Sequence, residues 1–151
     1  MSSPLATDYL ALEPLLIARL QTTTSLRHVL PAPDLAAVTE AEQFTPAVHV
    51  LWWGERVPQG GNARVGVQQI VGHTWLAVVA VRNAAAMRTG AGVRAEAGLL
   101  LAEVNAALQG WRPGAGWDPL AKVSAPRPLY RGAFAYFPLA FEAVTYTRGS
   151  A

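Results

Sequence analysis

The sequence lacks cysteine and carries little charge of either sign. None of its 151 residues is a cysteine, which excludes disulfide bonds, thiol chemistry and cysteine-ligated zinc. Only 15% of the residues are charged, against about 25% in an average soluble domain. Lys122 is the one lysine and no run of basic residues is present, so binding driven by nucleic-acid phosphates is not expected. Low charge leaves more surface that tolerates contact, which favours an assembly subunit.

Long apolar runs are also missing. The longest strongly apolar stretch, Trp75 to Val81, is far shorter than the roughly 20 residues that span a bilayer. Met1 to Pro4 is not a basic segment leading into an apolar run, so no signal peptide is expected. The hydrophobic content of 52% argues against disorder, and the length fits one domain covering residues 1–151. We expect a soluble protein without membrane attachment.

Side-chain patterns that carry catalysis or bind metals are absent as well. The histidines His28, His49 and His73 fall on predicted strands, with no H-x-H or H-E-x-x-H spacing. His49 and His73 could face each other across a hairpin, but no acidic residue accompanies them, and a metal site needs three or four convergent ligands. No G-x-S-x-G motif is present for a nucleophilic serine. The sequence therefore predicts no catalytic residue, no metal and no cofactor, and a protein that is not an enzyme.

One motif does match a cofactor-binding pattern. The six residues from Gly90 to Ala95, with Gly92 between them, fit the dinucleotide fingerprint G-x-G-x-x-G/A. The first glycine comes eight residues after the expected strand end at Arg82, where the fingerprint requires a tight turn, and no second strand with an acidic end follows. We interpret the motif as a helix N-terminus that binds no nucleotide. A small ligand-binding or enzymatic domain around these glycines and the two histidines is the alternative.

Apolar periodicity predicts two main helices. The first runs from about Asp8 to Gln21, capped by Thr7 or Asp8, and Pro14 within it indicates a kink or a later true start. The second ends before Gly110, a glycine at the position that terminates helices. Both present one apolar face, formed by Leu12, Leu16 and Leu20 in the first and by Val93, Ala97, Leu100, Val104 and Leu108 in the second.

Alternating and continuous apolar stretches predict the strands. Their expected ranges are 26–30, 48–57, 65–82, 122–125 and 133–146. The turn Pro58 to Asn62 joins the second and third as a hairpin, Asp34 caps a short helical turn, and the last strand has a bulge near Pro138. The fold class is therefore α+β: a largely antiparallel sheet with a long central β-hairpin and two main helices packed on it.

The hairpin is long for a protein of this size. Residues 65–82 would span roughly 60 Å if unbroken, whereas a domain of this length is about 38 Å across. The strand therefore either bends at Gly66 or Gly72 or projects past the core, and its polar outer part favours projection. We expect the end of the hairpin to carry the assembly contacts, namely Trp53, Arg56, Gly60, Gly61, Asn62, Arg64 and Gln68.

Two adjacent tryptophans stand near this end. Neighbouring residues of a strand point to opposite faces, so one of Trp52 and Trp53 lies in the core and the other on the opposite face. That second ring is either covered by a helix or exposed as an interface anchor, a role in which tryptophan is enriched. The sequence leaves both alternatives open.

Several stretches, taken together and in order, resemble the tail terminator family of Mu-like prophages and its lambdoid relatives. They are residues 8–13, 45–51, 75–83, 108–111 and 134–141, beginning with Asp-Tyr-Leu-Ala-Leu-Glu and ending with Phe-Ala-Tyr-Phe-Pro-Leu-Ala-Phe. The resemblance implies an α+β subunit of a ring, of six copies, at the head-proximal end of a phage tail tube. There it would stop tube growth and offer the head–tail joining surface.

The resemblance also implies the partners and the location. The partners would be further copies of the chain, the tail tube protein and the head–tail connector, with DNA passing through the ring and no specific nucleic-acid binding. The protein would be made in the host bacterial cytoplasm and end in the virion. A different connector or tail-tube subunit is the structural alternative, and the loop from Trp111 to Trp117 has no assigned role.

Overall fold

The fold, obtained as a computed structural model, is described for residues 3–40, 44–58, 68–82 and 91–150, with the backbone alone for residues 40 and 91–95. Three helices and six strands lie within these ranges. In chain order they are α1 Leu12–Thr23, β1 His28–Pro31, α2 Leu35–Glu40, β2 Ala47–Arg56, β3 Gln68–Arg82, α3 Ala91–Leu108, β4 Ala121–Val123, β5 Leu129–Arg131 and β6 Phe134–Arg148.

The strands form one mixed sheet in the order β1-β2-β3-β6-β4, and β5 pairs with β6 beside β4. The pair β1–β2 is parallel and the other described pairs are antiparallel. The predicted α+β class is confirmed, and the long antiparallel pair β2–β3 lies at the centre of the sheet as expected. The run Trp75 to Val81 is buried throughout, because β3 has a strand on each side and apolar layers on both faces.

Helix α1 begins later than its apolar pattern indicated. It starts at Leu12, which leaves Pro14 in the first turn, where the missing N–H of proline breaks no helical hydrogen bond. No side chain caps the helix. Instead, the Asp8 carboxylate accepts a hydrogen bond from the Leu10 N–H at 2.9 Å in the preceding turn. The predicted apolar face is confirmed, since its three leucines are at most 3% exposed: Leu12, Leu16 and Leu20.

Helix α3 packs the predicted face onto the sheet. Its buried residues on that face are Ala97, Leu100, Val104 and Leu108, whereas the side chain of Val93 lies outside the described part. Gly110 follows the helix with a φ of +76°, a left-handed conformation that glycine adopts without strain, as the helix-end prediction required. Its N–H bonds to the carbonyl of Leu120 at 2.9 Å, which ties the helix end to the segment before β4.

The two faces of the sheet are covered unequally. Helices α1 and α3 lie over one face and close the larger apolar core. The short helix α2 lies over the other, where Val38 packs with Leu51, Leu76 and Val78. The predicted cap of α2 is present, since the Asp34 carboxylate accepts the N–H of Ala37 at 2.7 Å.

Strand β6 contains no bulge near Pro138, contrary to expectation. Its register with β3 is uninterrupted from Arg148, opposite Gln68, to Phe134, opposite Arg82. The apparent phase change arises because β6 is apolar on both faces, so aromatic residues alternate between two cores. Pro138 lies between the residues that pair with β5 and those that pair with β4, where no outer strand requires an N–H donor.

The tryptophan-rich loop after α3 closes one end of the larger core. Trp111 and Trp117 both pack against this core from its margin. The Arg19 guanidinium lies 5.4 Å from the Trp111 ring centroid and donates to the Ala107 carbonyl, which joins α1 to the end of α3. Arg112 donates to the Trp117 carbonyl at 3.1 Å and fixes the loop internally. The loop therefore has a structural role that the sequence did not reveal.

Candidate assembly surface at the end of the sheet

The described end of the hairpin is supported by a third strand. Strand β2 pairs with β3 as far as Arg56, opposite Gly72, and β3 continues to Gln68 paired with β6. The outer part of β3 therefore does not depend on β2 alone, because β6 pairs with it as far as Gln68. The 15 residues of β3 would span about 50 Å when extended. The outermost buried residue of β3 is Val71, so the outer residues of β3 and β6 extend past the core as a paired unit.

No irregularity in strand pairing occurs at Gly72. The pairing of β3 with β6 passes through this position without a shift, and Gly66 lies outside the described residues. Glycine at position 72 instead leaves space for a neighbouring side chain, because a Cβ here would lie 2.6 Å from the Glu142 side chain. The missing side chain lets the Glu142 carboxylate cross over β3 towards β2.

This crossing produces a salt bridge over three strands. Arg56 on β2 donates from Nε to Glu142 Oε2 at 3.0 Å and from Nη2 to Oε1 at 2.9 Å. The hydrogen bond and charge of Glu142 raise the pKa of Arg56 above its ordinary value. Arg56 was predicted from the sequence as an assembly contact. Its acidic partner is Glu142 of the same chain, and 60% of the Arg56 side chain is still exposed.

Strand β2 is irregular at the tryptophan pair. The register with β3 shifts between Trp52 and Gly54, so Trp53 is the extra residue of a β-bulge. Gly54 has a φ of +148°, which residues with a Cβ rarely adopt. Trp52 packs against the larger core, whereas Trp53 is 50% exposed. Of the two alternatives for the second ring, the structure therefore favours the exposed one.

The remaining predicted contact residues divide into two groups. Gln68 is exposed at the start of β3, where its side-chain oxygen accepts a hydrogen bond from Arg148 at 3.4 Å. Arg148 also lies 5.9 Å from the Tyr146 ring centroid. Four other predicted contacts lie outside the described residues: Gly60, Gly61, Asn62 and Arg64. Of the described ones, Arg56 and Gln68 lie towards the outer end of β3, whereas Trp53 lies nearer the middle of that strand, level with Thr74 and Trp75.

A buried polar cluster that sequence reasoning missed lies behind this surface. The His73 ring bridges two strands, with Nδ1 3.3 Å from the Trp52 indole nitrogen and Nε2 2.9 Å from the Thr145 hydroxyl. Tyr9 contacts the same ring edge-on at a centroid distance of 4.9 Å. An indole N–H can only donate, so Nδ1 accepts and the proton resides on Nε2, which donates to Thr145. The cluster fixes the N-terminal segment against the end of the sheet.

The histidines do not form a joint site. His49 pairs with Val78 and faces the smaller core, whereas His73 pairs with Glu55 and faces the larger one. The two rings therefore do not face each other across the hairpin, the possibility that the sequence had left open, because they lie on opposite faces and at different levels of the sheet. Within the described ranges, no three residues of the metal-binding types come together.

Burial should make stability depend on pH through both histidines. Desolvation lowers the pKa of His49, and it lowers that of His73 against the opposing charges of Glu55 and Glu142. Below a pH of about 6.5 the unfolded chain gains protons that the folded chain resists, so the free energy of unfolding falls as the pH drops towards the folded-state pKa values. Urea denaturation between pH 7.5 and pH 5.5 should show this decline. It should be weaker, though still present through His49, in His73→Phe, and an unchanged slope would contradict the burial argument.

The strands around the glycine motif are not arranged as they are in a dinucleotide-binding site. Gly90 lies outside the described residues, and Gly92 belongs to the first turn of α3. Both neighbours of β3 are antiparallel to it, whereas the fingerprint belongs to a strand that pairs parallel with the strand following its helix. That Gly90 and Gly92 bind no nucleotide stays a prediction.

These features together describe an α+β scaffold in which exposed side chains of β2 and β3 extend from the bulge at Trp53 to the outer end of the sheet. None of the described helices has the length and apolarity required to cross a membrane. A family model described as phage tail terminator protein matches residues 5–150. The chain therefore belongs to the phage tail terminator family, a family of structural phage tail proteins. No curated protein was found to match it.

Proposed function

We propose that this chain forms a ring, of six copies, at the head-proximal end of the phage tail tube. The ring stops polymerisation of the tube and provides the surface that joins the head. Family membership over residues 5–150 is the observation that carries this proposal. The partners are the tail tube protein on one side and the head–tail connector on the other, and DNA passes through the ring without sequence-specific contacts.

The surface that we assign to contacts with the tube or the connector runs from the bulge at Trp53 to the outer end of β3. Trp53 is half exposed on a bulge, Ile70 is 49% exposed and Gln68 is exposed at the start of β3. Half-exposed aromatic residues among polar ones are typical of interface anchors. The bidentate bridge between Arg56 and Glu142 and the His73 cluster stabilise the strands beneath. The predicted contacts Gly60, Gly61, Asn62 and Arg64 remain part of the proposal.

Tail length is the measurement that tests this function. A phage lacking the chain should produce tails of uncontrolled length that fail to join heads, and the wild-type chain supplied in trans should restore uniform tails. Normal tails in the absence of the chain would overturn the proposal. A tube subunit would leave no tails at all, and a pure connector would leave headless tails of normal length, so the images also separate the structural alternatives.

The contact surface has its own variant. Trp53→Ala removes an exposed ring, so the folded domain should unfold at nearly the wild-type temperature while a large share of tails exceed the normal length. Leu99→Ala is the matched control, because it removes an apolar side chain that is 75% exposed on α3 and not on the strands that carry Trp53 and Gln68. If Trp53→Ala tails are as uniform as those of the control, the contact surface lies elsewhere.

A further inference from the structure

A cleft opens beside the β1 edge of the sheet. Its volume is about 400 Å³, and its lining combines apolar and aromatic side chains with one carboxylate: Leu10, Glu13, Pro31, Ala32, Pro33, Trp52 and Trp75. Glu13 lies in the first turn of α1. It has no ion pair and no side-chain hydrogen bond within the described part of the chain. The cleft can therefore accept a cation with an apolar stem, since Trp52 and the prolines would pack on the stem and Glu13 would neutralise the charge.

A side chain of that kind lies at the opposite edge of the same sheet. Lys122 is exposed on β4, which pairs with β6 and with no other strand of the described residues. As with Glu13, no ion pair or side-chain hydrogen bond engages Lys122 in this part of the chain. The chain has no other lysine.

The cleft and the lysine lie at the same level of the sheet. The registers place Trp52 opposite Trp75, Trp75 opposite Phe141, and Phe141 opposite Lys122. Directly paired residues face the same side, so this row crosses four strands on the face covered by α1 and α3. At about 4.8 Å per strand, Lys122 stands roughly 14 Å from Trp52 across the sheet. The cation and its complementary cleft therefore lie at opposite ends of one transverse row.

We propose that Lys122 of one copy of the chain enters this cleft on a second copy and pairs there with Glu13. The contact is head to tail: each copy offers its β4 edge to one neighbour and its cleft to the other. Such heterologous contacts close into a ring when successive rotations add up to a full turn. A ring generated by pure rotation requires both contact surfaces at equal height along its axis. The transverse row meets this requirement when the strands run along the ring axis.

Each residue also has a simpler role within one copy. A lysine on an edge strand discourages uncontrolled pairing of sheets, and a carboxylate in the first turn of a helix favours the helix dipole. Neither role explains why an apolar cleft lies beside Glu13. Neither role explains why Lys122 lies at the level of that cleft. The inference rests on the proposed ring, so its test must separate failure of the contact from failure of the ring.

Carbodiimide coupling tests the contact directly, because it joins a carboxylate to an amine only where the two touch. On the isolated protein and on purified tails we expect covalent multimers, and peptide mapping should find Glu13 joined to Lys122. Lys122→Arg is the matched control, since it keeps the cation but removes the reactive amine. This variant should keep its ring mass in sedimentation while losing the coupled multimers, and Glu13→Gln should lose them as well.

Charge reversal provides an independent measurement. Glu13→Lys and Lys122→Glu should each weaken association by roughly tenfold or more, and the double variant should recover most of it. The matched controls are Glu96→Lys on α3 and Arg127→Glu between β4 and β5, both at exposed positions outside the row, which should leave association unchanged.

The outcomes distinguish the two proposals. A ring of wild-type mass without Glu13–Lys122 coupling, or coupling of Lys122 to another carboxylate, overturns the contact and leaves the ring intact. Absence of any ring, both at high concentration and in tails, overturns the proposed function together with the contact. Failure of the double variant to recover association would show that the two charges act separately.

Discussion

Replacing Phe141 by alanine should lower the free energy of unfolding by about 3–5 kcal/mol. Phe141 is 1% exposed and lies in the middle of β6, between Trp75 on β3 and Lys122 on β4. The loss of ring contacts is accompanied by a cavity, because hydrogen-bonded strands on both sides prevent the backbone from collapsing into the space. Urea denaturation monitored by circular dichroism would measure the change.

The matched control is Tyr130→Ala on β5. Tyr130 is also an aromatic residue of the sheet but is 56% exposed, with an edge-on contact to Phe137 at 5.9 Å. Its truncation should cost about 1 kcal/mol or less. Equal losses for the two variants would contradict the assignment of Phe141 to the core. Phe141 lies beside Lys122, so the carbodiimide reaction of Phe141→Ala should be measured only under conditions where this variant is folded.

Leu100→Ala should cost about 2–5 kcal/mol, whereas Leu99→Ala on the same helix should change stability by less than about 0.5 kcal/mol. The two leucines are adjacent in sequence, but Leu100 is 9% exposed and Leu99 75% exposed, since α3 turns one towards the sheet and the other away from it. For a chain of this length, the first loss corresponds to a fall of roughly 4–20 °C in the melting temperature.

The comparison within one helix removes most other causes of a difference. Both substitutions exchange leucine for alanine, so helix propensity changes by the same small amount at each position. A larger loss for Leu99→Ala than for Leu100→Ala would mean that α3 presents the opposite face to the sheet. The pair also supports the tail-length experiment, in which Leu99→Ala is the control for Trp53→Ala.

Two different surfaces of the molecule are proposed to make two different contacts. The surface from the bulge at Trp53 to the outer end of β3 is proposed to contact the tube or the connector, whereas Lys122 and Glu13 are proposed to join the copies to each other. The two surfaces share the row through Trp52 and Trp75, because Trp52 lies in the cleft wall and next to the bulge.

Local sequence patterns were sufficient to predict the features that depend on residues close together in the chain. The spacing of Leu12, Leu16 and Leu20 fixed the buried face of α1, and Gly110 fixed the end of α3. An apolar side chain every three or four residues must lie on one side of a helix, whatever it packs against. Strand patterns likewise predicted the central hairpin and the α+β class, and the class was confirmed. The family was inferred separately, from the resemblance of several stretches in order, and the family model confirmed it over residues 5–150.

The starts of elements were less well determined by the sequence. Helix α1 begins at Leu12 rather than Asp8 because Pro14 is tolerated in the first turn and not further inside. The expected bulge at Pro138 was wrong because a strand buried on both faces carries no alternation from which its phase can be read. In both cases the local sequence pattern was compatible with two different structures.

Partners distant in the chain were decided only by the tertiary structure. Strand β6 accompanies β3 along its full length, Arg56 meets Glu142 over Gly72 from 86 positions away, and His73 bonds to Thr145 from 72 positions away. An alternating pattern states which face of a strand is buried, but it does not state which strand lies beside it, because the register follows from packing the whole sheet. For the same reason the sequence showed one lysine and an acidic helix start as unrelated features, and only the assembled row placed Lys122 level with the cleft that contains Glu13.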